Sequence, residues 1–317
     1  MLQKLTAGTL KGNWATLLLP IHPDDSINYD KLSAEISFLA KAGVDGIYSN
    51  NTAGEFYNLT ENEYDKVQQL LSGICIDNNI RFQIGVSHPS PIVSLERVKR
   101  AVALKPDAFQ VILPDWVSVT PQEQIAFLQR IAASAGDIPL VLYHPPHAKS
   151  IILAQHFQTL KAAVPALIGV KLASGDAQWF ANMRKYRPDL AIFVPGHLLA
   201  TGIKERVASG AYSNVACLNP VGAQWWRQLM QVNLEKALEI ESRISQFFDE
   251  CIIPFKSAGY SNPAQDKFLA AIGGWAEIGT RLRWPYQSID QTEVEKAQSV
   301  YRKLLPEFND NYNLMTH

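Results

Sequence analysis

The chain has 317 residues, 47% hydrophobic and 19% charged, the make-up of a globular protein with enough apolar side chains for a sizeable core. Its 29 Lys and Arg nearly balance 30 Asp and Glu, a formal net charge of -1 spread along the chain, which gives no footprint for nucleic acid or an anionic membrane and leaves small molecules as the expected partners. Apolar stretches such as 15–21 fall far short of the roughly 20 residues that cross a bilayer, and the N-terminus has no signal-peptide pattern, so a cytoplasmic location is expected.

Short apolar, β-rich runs occur at 14–19, 46–49, 81–86, 108–113, 140–143, 167–171, 191–194 and 212–216. Helical patterns separate them. Leu32, Ile36, Leu39 and Ala40 fall on one helical face, as do Tyr64, Val67, Leu71 and Ile74. Thr60 with Glu63, Thr120-Pro121 with Glu123, and Asn219-Pro220 mark helix starts, because a small polar side chain there caps free amides. Strand and helix alternating in this way predict parallel β-α-β units closed into a (β/α)8 TIM barrel. An open doubly wound sheet is the alternative, but Pro20-Ile21-His22-Pro23 stands where a glycine-rich dinucleotide turn is needed. From about Asn233 strands cease, and Ile240, Ile244, Phe247, Phe248 and Cys251 recur on one helical side. The expected organisation is a catalytic barrel over 1–232 with a C-terminal helical region, 233–317, packed on it.

In such a barrel, reactive groups sit where strands pass into βα loops. The strand ends carry Asn51-Thr52-Ala53-Gly54-Glu55, Trp116, Tyr143-His144-Pro145-Pro146-His147, Lys171, Gly196-His197 and Ala216-Cys217. Lys171 ends an apolar run, whereas Lys31, Lys99 and Lys236 belong to amphipathic helices. Desolvation at a barrel mouth favours the neutral amine, a nucleophile for ketones; a rim salt bridge is the alternative reading. Tyr143, closing the neighbouring strand, can shuttle the protons that imine formation requires. Thr52 can orient that phenol, and the amides of residues 52–54 can bind a carboxylate. Cys75, Cys217 and Cys251 are odd in number and lack metal-type spacing, so reduced structural thiols are expected.

Three motifs in order, Asn51-Thr52-Ala53-Gly54-Glu55, Tyr143-His144-Pro145-Pro146 and Gly169-Val170-Lys171, resemble the Gly-Thr-Thr-Gly-Glu, Tyr-Asn-x-Pro and Gly-x-Lys motifs of the dihydrodipicolinate synthase / N-acetylneuraminate lyase family. Gly12, Ala15-Thr16, Gly210-Ala211 and Leu282-Arg283-Trp284-Pro285 extend the resemblance over nearly the whole chain. It implies a class I lyase or aldolase in which Lys171 forms a Schiff base with pyruvate or another 2-oxo acid, acting on aldehyde partners or dehydrating a sugar-acid-like substrate. Tyr143 would be the general acid/base and Thr52 its helper. The Ala53 amide and the carbonyl near Val215 would hold the substrate, without a metal or organic cofactor. A homotetramer, with the Trp116 loop at a tight dimer contact, is also implied.

The chain departs from the family at several points. Ala53 replaces a hydroxyl residue, Asn51 a glycine, and Asp115-Trp116 a tyrosine pair; Ala148 stands where synthases proper have an arginine. Gly196-His197-Leu198-Leu199 lacks the acidic residues that bind a sugar tail. Phe56, Tyr57 and Trp116 point to a more aromatic pocket, with His144, His147 and His197 as further specificity residues. Two other readings remain open: a metal-dependent hydrolase or class II aldolase using the strand-end histidines His88, His144, His147 and His197, and a paralogue that binds a 2-oxo acid without turnover.

Overall fold

A computed structural model describes residues 3–309 apart from 174, 187 and 188. Eight strands follow one another around a closed parallel barrel: β1 (Gly12–Thr16), β2 (Gly46–Ser49), β3 (Phe82–Gly85), β4 (Ala108–Ile112), β5 (Leu140–His144), β6 (Leu167–Leu172), β7 (Ala191–Pro195) and β8 (Gly210–Ser213), with β8 paired back to β1. This is the expected (β/α)8 barrel; the open sheet is excluded.

Helices α1 (Tyr29–Lys41), α2 (Glu61–Asp77), α3 (Pro91–Ala101), α4 (Pro121–Ala135), α5 (His156–Ala163), α6 (Ala177–Lys185) and α7 (Leu199–Lys204) connect the strands. After β8 come α8 (Asn214–Leu218), α9 (Pro220–Val232), α10 (Leu234–Cys251), α11 (Ile253–Ser257), α12 (Asn262–Gly273) and α13 (Glu293–Leu304). The Thr60/Glu63 and Thr120/Glu123 pairs both form complete capping boxes, so the starts of α2 and α4 lie where the sequence places them.

Two predicted strands end differently. Leu17, Leu18 and Leu19 are buried beyond the end of β1; the Leu17 N–H still donates to the Tyr48 carbonyl of β2 at 2.9 Å, but the Leu18 N–H donates to the Glu35 carboxylate of α1 at 2.8 Å. The eighth strand begins at Gly210 and stops at Ser213, whose hydroxyl accepts from the Ala216 N–H at 3.0 Å and starts α8. Val215 to Leu218 are apolar because a short helix is buried there, and apolarity over so few residues does not separate helix from strand.

The barrel's inner layer holds Trp14, Tyr48, Val141, Ile168, Phe193 and Tyr212, separate from the larger core between strands and helices. In β6 the alternation breaks. Leu140 pairs with Leu167 but Val141 pairs with Gly169, so one extra residue is inserted. Ile168 faces inward, Val170 and Leu172 pack in the outer core, and Lys171 is thereby turned inward beside Tyr143, its register partner on β5.

The C-terminal helices cover one end of the barrel. Ile240, Ile244 and Phe247 of α10 and Phe268, Leu269 and Ile272 of α12 belong to the same apolar cluster as the barrel helices. The Glu241 carboxylate of α10 accepts from the Ala200 and Thr201 amides at the start of α7.

Candidate active site

A cavity of about 480 Å³ opens at the C-terminal ends of the strands, a size suited to a small metabolite. Lys171, Tyr143, Thr52, Ala53 and His197 line it, together with Tyr48, Tyr212, Asn51, Cys217 and residues of α10 to α12. The Lys171 Nζ lies 4.0 Å from the Tyr143 ring centre, 5.1 Å from that of Tyr48 and 5.6 Å from that of Tyr212. Among the described residues it has no carboxylate within 4.0 Å, so the rim salt bridge is not formed. Three phenol rings surround the amine. Burial lowers its pKa to about 8, against the opposing pull of Asp266 and Cys217.

Burial pushes the Tyr143 phenol up to about 12, and the facing Thr52 hydroxyl moderates the rise. Thr52 Oγ1 is itself buried and lacks an aligned hydrogen-bond partner, so the contact with the phenol is close without being a regular hydrogen bond. Tyr212 donates through its hydroxyl to Gln83 Oε1 at 2.7 Å and is thereby tied to the barrel floor.

The loop after β2 differs from expectation. Asn51 Oδ1 accepts from the Ala53 N–H at 2.8 Å and from the Gly54 N–H at 3.4 Å, while its Nδ2 donates to Thr16 Oγ1 at 2.8 Å. The amide expected to receive a substrate carboxylate is thus held by a side chain. Left-handed backbone falls on Asn50 and Glu55, at φ 51° and 53°. The Glu55 carboxylate is buried in an ion pair with Lys267 of α12 at 2.6 Å, which anchors this loop to the C-terminal region.

Near Val215, the residues Tyr212, Ser213 and Asn214 line the cavity, while Val215 itself is fully buried outside the lining and its carbonyl accepts from the Asn219 N–H at 3.0 Å. Tyr212, three residues earlier, is the strand-8 residue that faces the lysine. Trp116 is 83% exposed and, like Phe56 and Tyr57, is absent from the cavity wall, whose aromatic residues are instead Tyr48, Tyr143, Tyr212 and Phe248. Lys149 sits over the Trp116 ring at 5.5 Å.

The histidines are scattered. His197 lines the cavity, stacks on Phe248 at 5.0 Å and contacts the Asn214 amide through Nδ1 at 2.8 Å; burial keeps its pKa low. His144 lies outside the lining, with Nε2 accepting from the Ile152 N–H at 3.3 Å, and His147 is exposed. Among the described residues no three His, Cys, Asp or Glu side chains converge as metal ligands. The four strand-end histidines, His88 included, therefore form no ligand set.

Asp249, Lys256 and Asp266, from α10, α11 and α12, also line the cavity. Sequence reasoning missed them. Nothing local marks these helices as neighbours of β6, because their position follows from how the C-terminal region folds back over the barrel mouth.

A (β/α)8 barrel with a desolvated lysine and a tyrosine paired across adjacent strands defines the class. The model of the dihydrodipicolinate synthetase family matches residues 9–304, and the chain belongs to that family. The 4-hydroxy-tetrahydrodipicolinate synthase of Phocaeicola vulgatus is 25% identical over 303 residues, covering 93% of this chain and 97% of that protein. Two solved structures share the fold. The N-acetylneuraminate lyase of Fusobacterium nucleatum has a TM-score of 0.80 at 22% identity, covering 93% of this chain and 99% of that one. YagE, a prophage protein of E. coli K12 crystallised in complex with pyruvate, has a TM-score of 0.81 at 19% identity, covering 93% and 98%. No helix of the described residues is long and apolar enough to cross a membrane.

Proposed function

We propose that this protein is a class I lyase in which Lys171 forms a Schiff base with pyruvate or a related 2-oxo acid and a carbon–carbon or carbon–oxygen bond is then made or broken. The observation that carries the reading is the Lys171 amine, without an ion pair among the described residues, against the Tyr143 ring inside a cavity of metabolite size. Lowered to about 8, the amine is partly neutral near physiological pH and attacks the 2-oxo carbon. Tyr143, eased by Thr52, delivers a proton to the carbinolamine oxygen as water leaves. The protonated imine then draws electrons from the adjacent carbon. These steps need no metal or organic cofactor.

The acceptor end of the cavity carries Asp249, Lys256, Asn214, Ser245 and Asn262. Polar groups in that number favour a hydroxylated aldehyde over an aromatic one, and Asp249 supplies one carboxylate in place of the acids missing after β7. Turnover of matched hydroxylated and aromatic aldehydes tests this, and preference for the aromatic set would reverse it. Self-association is part of the same proposal. Trp116, Val117, Ile151 and Leu153 are 83%, 74%, 73% and 50% exposed in the loops after β4 and β5, an apolar surface consistent with a subunit contact within a homotetramer. Light scattering on wild type and Trp116→Ala checks it; a monomeric wild type would refute it. A cytoplasmic location accords with three unpaired, buried cysteines.

Reduction with borohydride in the presence of pyruvate, followed by intact mass and peptide mapping, tests the central chemistry. A pyruvate-sized adduct on Lys171, absent from Lys171→Ala, is the expected result. No adduct with pyruvate or larger 2-oxo acids would leave binding without turnover as the better reading.

A further inference from the structure

One charged group in the lysine cavity has no task in imine formation. Asp266 of α12 lines the cavity beside Lys171 and Tyr143 and is partly open to it. Its neighbour Lys267 turns the other way, into the buried pair with Glu55, so the helix gives one charge to the framework and one to the cavity. Among the described residues Asp266 makes no hydrogen bond and no ion pair within 4.0 Å. A carboxylate so enclosed and so poorly partnered is completed by a group that arrives with the ligand.

Resting on the Schiff-base reading, we propose that Asp266 is the base that removes a proton from the carbon adjacent to the imine, carbon 3 of a pyruvate-like substrate, and returns it there. Carbon 3 lies two bonds from Nζ, so a base acting on it must share the lysine's cavity but need not contact the nitrogen, and among the described residues Asp266 lines that cavity without an ion pair to Lys171. The groups that share its field are Lys171 from β6, Tyr143 from β5, Tyr48 from β2 and Cys217 from α8, with Asp249 and Lys256 further out.

In the step, the bond from carbon 3 to hydrogen breaks and its electron pair forms the double bond to carbon 2. The carbon–nitrogen π pair moves onto nitrogen. The cationic imine becomes a neutral enamine, the proton rests on the Asp266 carboxylate, and reversal restores it with no oxidant or reductant. Burial pushes this carboxyl up to about 7, where a base is effective at neutral pH, whereas Tyr143 at about 12 is better suited to donating. The cationic imine takes over the charge of Lys171 and keeps the carboxylate ionised.

Exchange of the pyruvate methyl protons in D2O, followed by proton NMR, reads this step without an acceptor. Borohydride trapping of the same samples reads the imine. Asp266→Asn is expected to trap the Lys171 adduct as wild type does but to exchange about 100-fold more slowly or worse. Asp266→Glu, which restores a carboxylate, is expected to recover part of the rate. Trapping and exchange both at wild-type levels in Asp266→Asn would overturn the proposal. So would loss of the adduct in both variants while circular dichroism stays native, because Asp266 would then act in imine formation. Absence of an adduct in wild type would instead remove the Schiff-base reading, and the base with it.

Discussion

Asn51 rearranges the loop that the family resemblance assigns to the substrate carboxylate. Its Oδ1 accepts the Ala53 N–H at 2.8 Å, so an incoming carboxylate must displace a side chain before it reaches that donor. Asn51→Gly removes the competitor. Because hydrogen bonds to charged groups are worth about 1.5–3 kcal/mol, the pyruvate concentration giving half-maximal trapping is expected to fall about 10-fold. An unchanged value would show that the carboxylate binds elsewhere in the cavity. At Lys171 the consequence is a pH profile. Its amine is protonated below about 8 and free above it, so the rate of imine formation is expected to rise through that pH and level off near pH 9. A rate still climbing at pH 10 would mean an ordinary, solvated lysine. Lys171, Tyr143 and Thr52 were legible because each ends an apolar run or lies in the loop that follows one. Asn51 was visible as a departure, but its effect was not, since it depends on a side chain folding back on its own backbone. Tyr48 and Tyr212 were hidden for another reason: aromatic residues within strands fit core packing equally well.

Among the elements, β6 carries the feature most difficult to read. Simple alternation from the inward Ile168 places Lys171 on the outer face, against the helices. The inserted residue at Gly169 reverses this, and Gly169 fits because a Cβ there would lie 2.7 Å from Leu10 Cδ2 and 3.2 Å from the Ala191 carbonyl oxygen. Gly169→Ala is expected to destabilise the fold by about 1–3 kcal/mol in urea unfolding and to slow imine formation, because the strand that aims Lys171 must shift. Unchanged stability and trapping would show that Leu10 yields without moving the strand. Helix α12 holds a second dependence. Lys267→Ala leaves Glu55 charged and buried without its partner, at an expected cost of about 3–5 kcal/mol in the same measurement. A loss below about 1 kcal/mol would mean that the site readily takes in water. The helix starts at Thr60 and Thr120 were readable because capping boxes are local. The short helix after β8 was not, since its apolar residues serve a core assembled from distant segments.

At the scale of the whole molecule, the boundary at residue 233 marks a change of pattern, from alternating strands and helices to helices alone. The packing across it is continuous. Trp226 of α9 donates its indole N–H to the Ala237 carbonyl of α10 at 2.9 Å, and Trp275, just after α12, donates to the Cys217 carbonyl of α8 at 2.7 Å. The Glu55–Lys267 pair joins the loop after β2 to α12, and Arg283 is bound to Glu63 at the start of α2. A single apolar cluster runs from the α1 residues Leu32 and Ile36 to Tyr301 and Phe308. Alternation was enough to read the barrel, but the placement of 233–309 over its mouth follows from these long-range contacts, which no window of sequence contains. If the region is integral to the fold, calorimetry on the full chain should show one cooperative transition, and limited proteolysis should release no stable fragment ending near residue 233. Two resolved transitions, or a folded barrel surviving removal of the C-terminal helices, would make the region a separable domain. The distinction reaches the chemistry, because Asp249, Lys256 and Asp266 enter the lysine cavity from that region. A barrel without it would keep Lys171 and Tyr143 but lose the polar wall at the acceptor end and the carboxylate assigned to carbon 3, so its residual trapping of pyruvate would be accompanied by neither methyl exchange nor turnover.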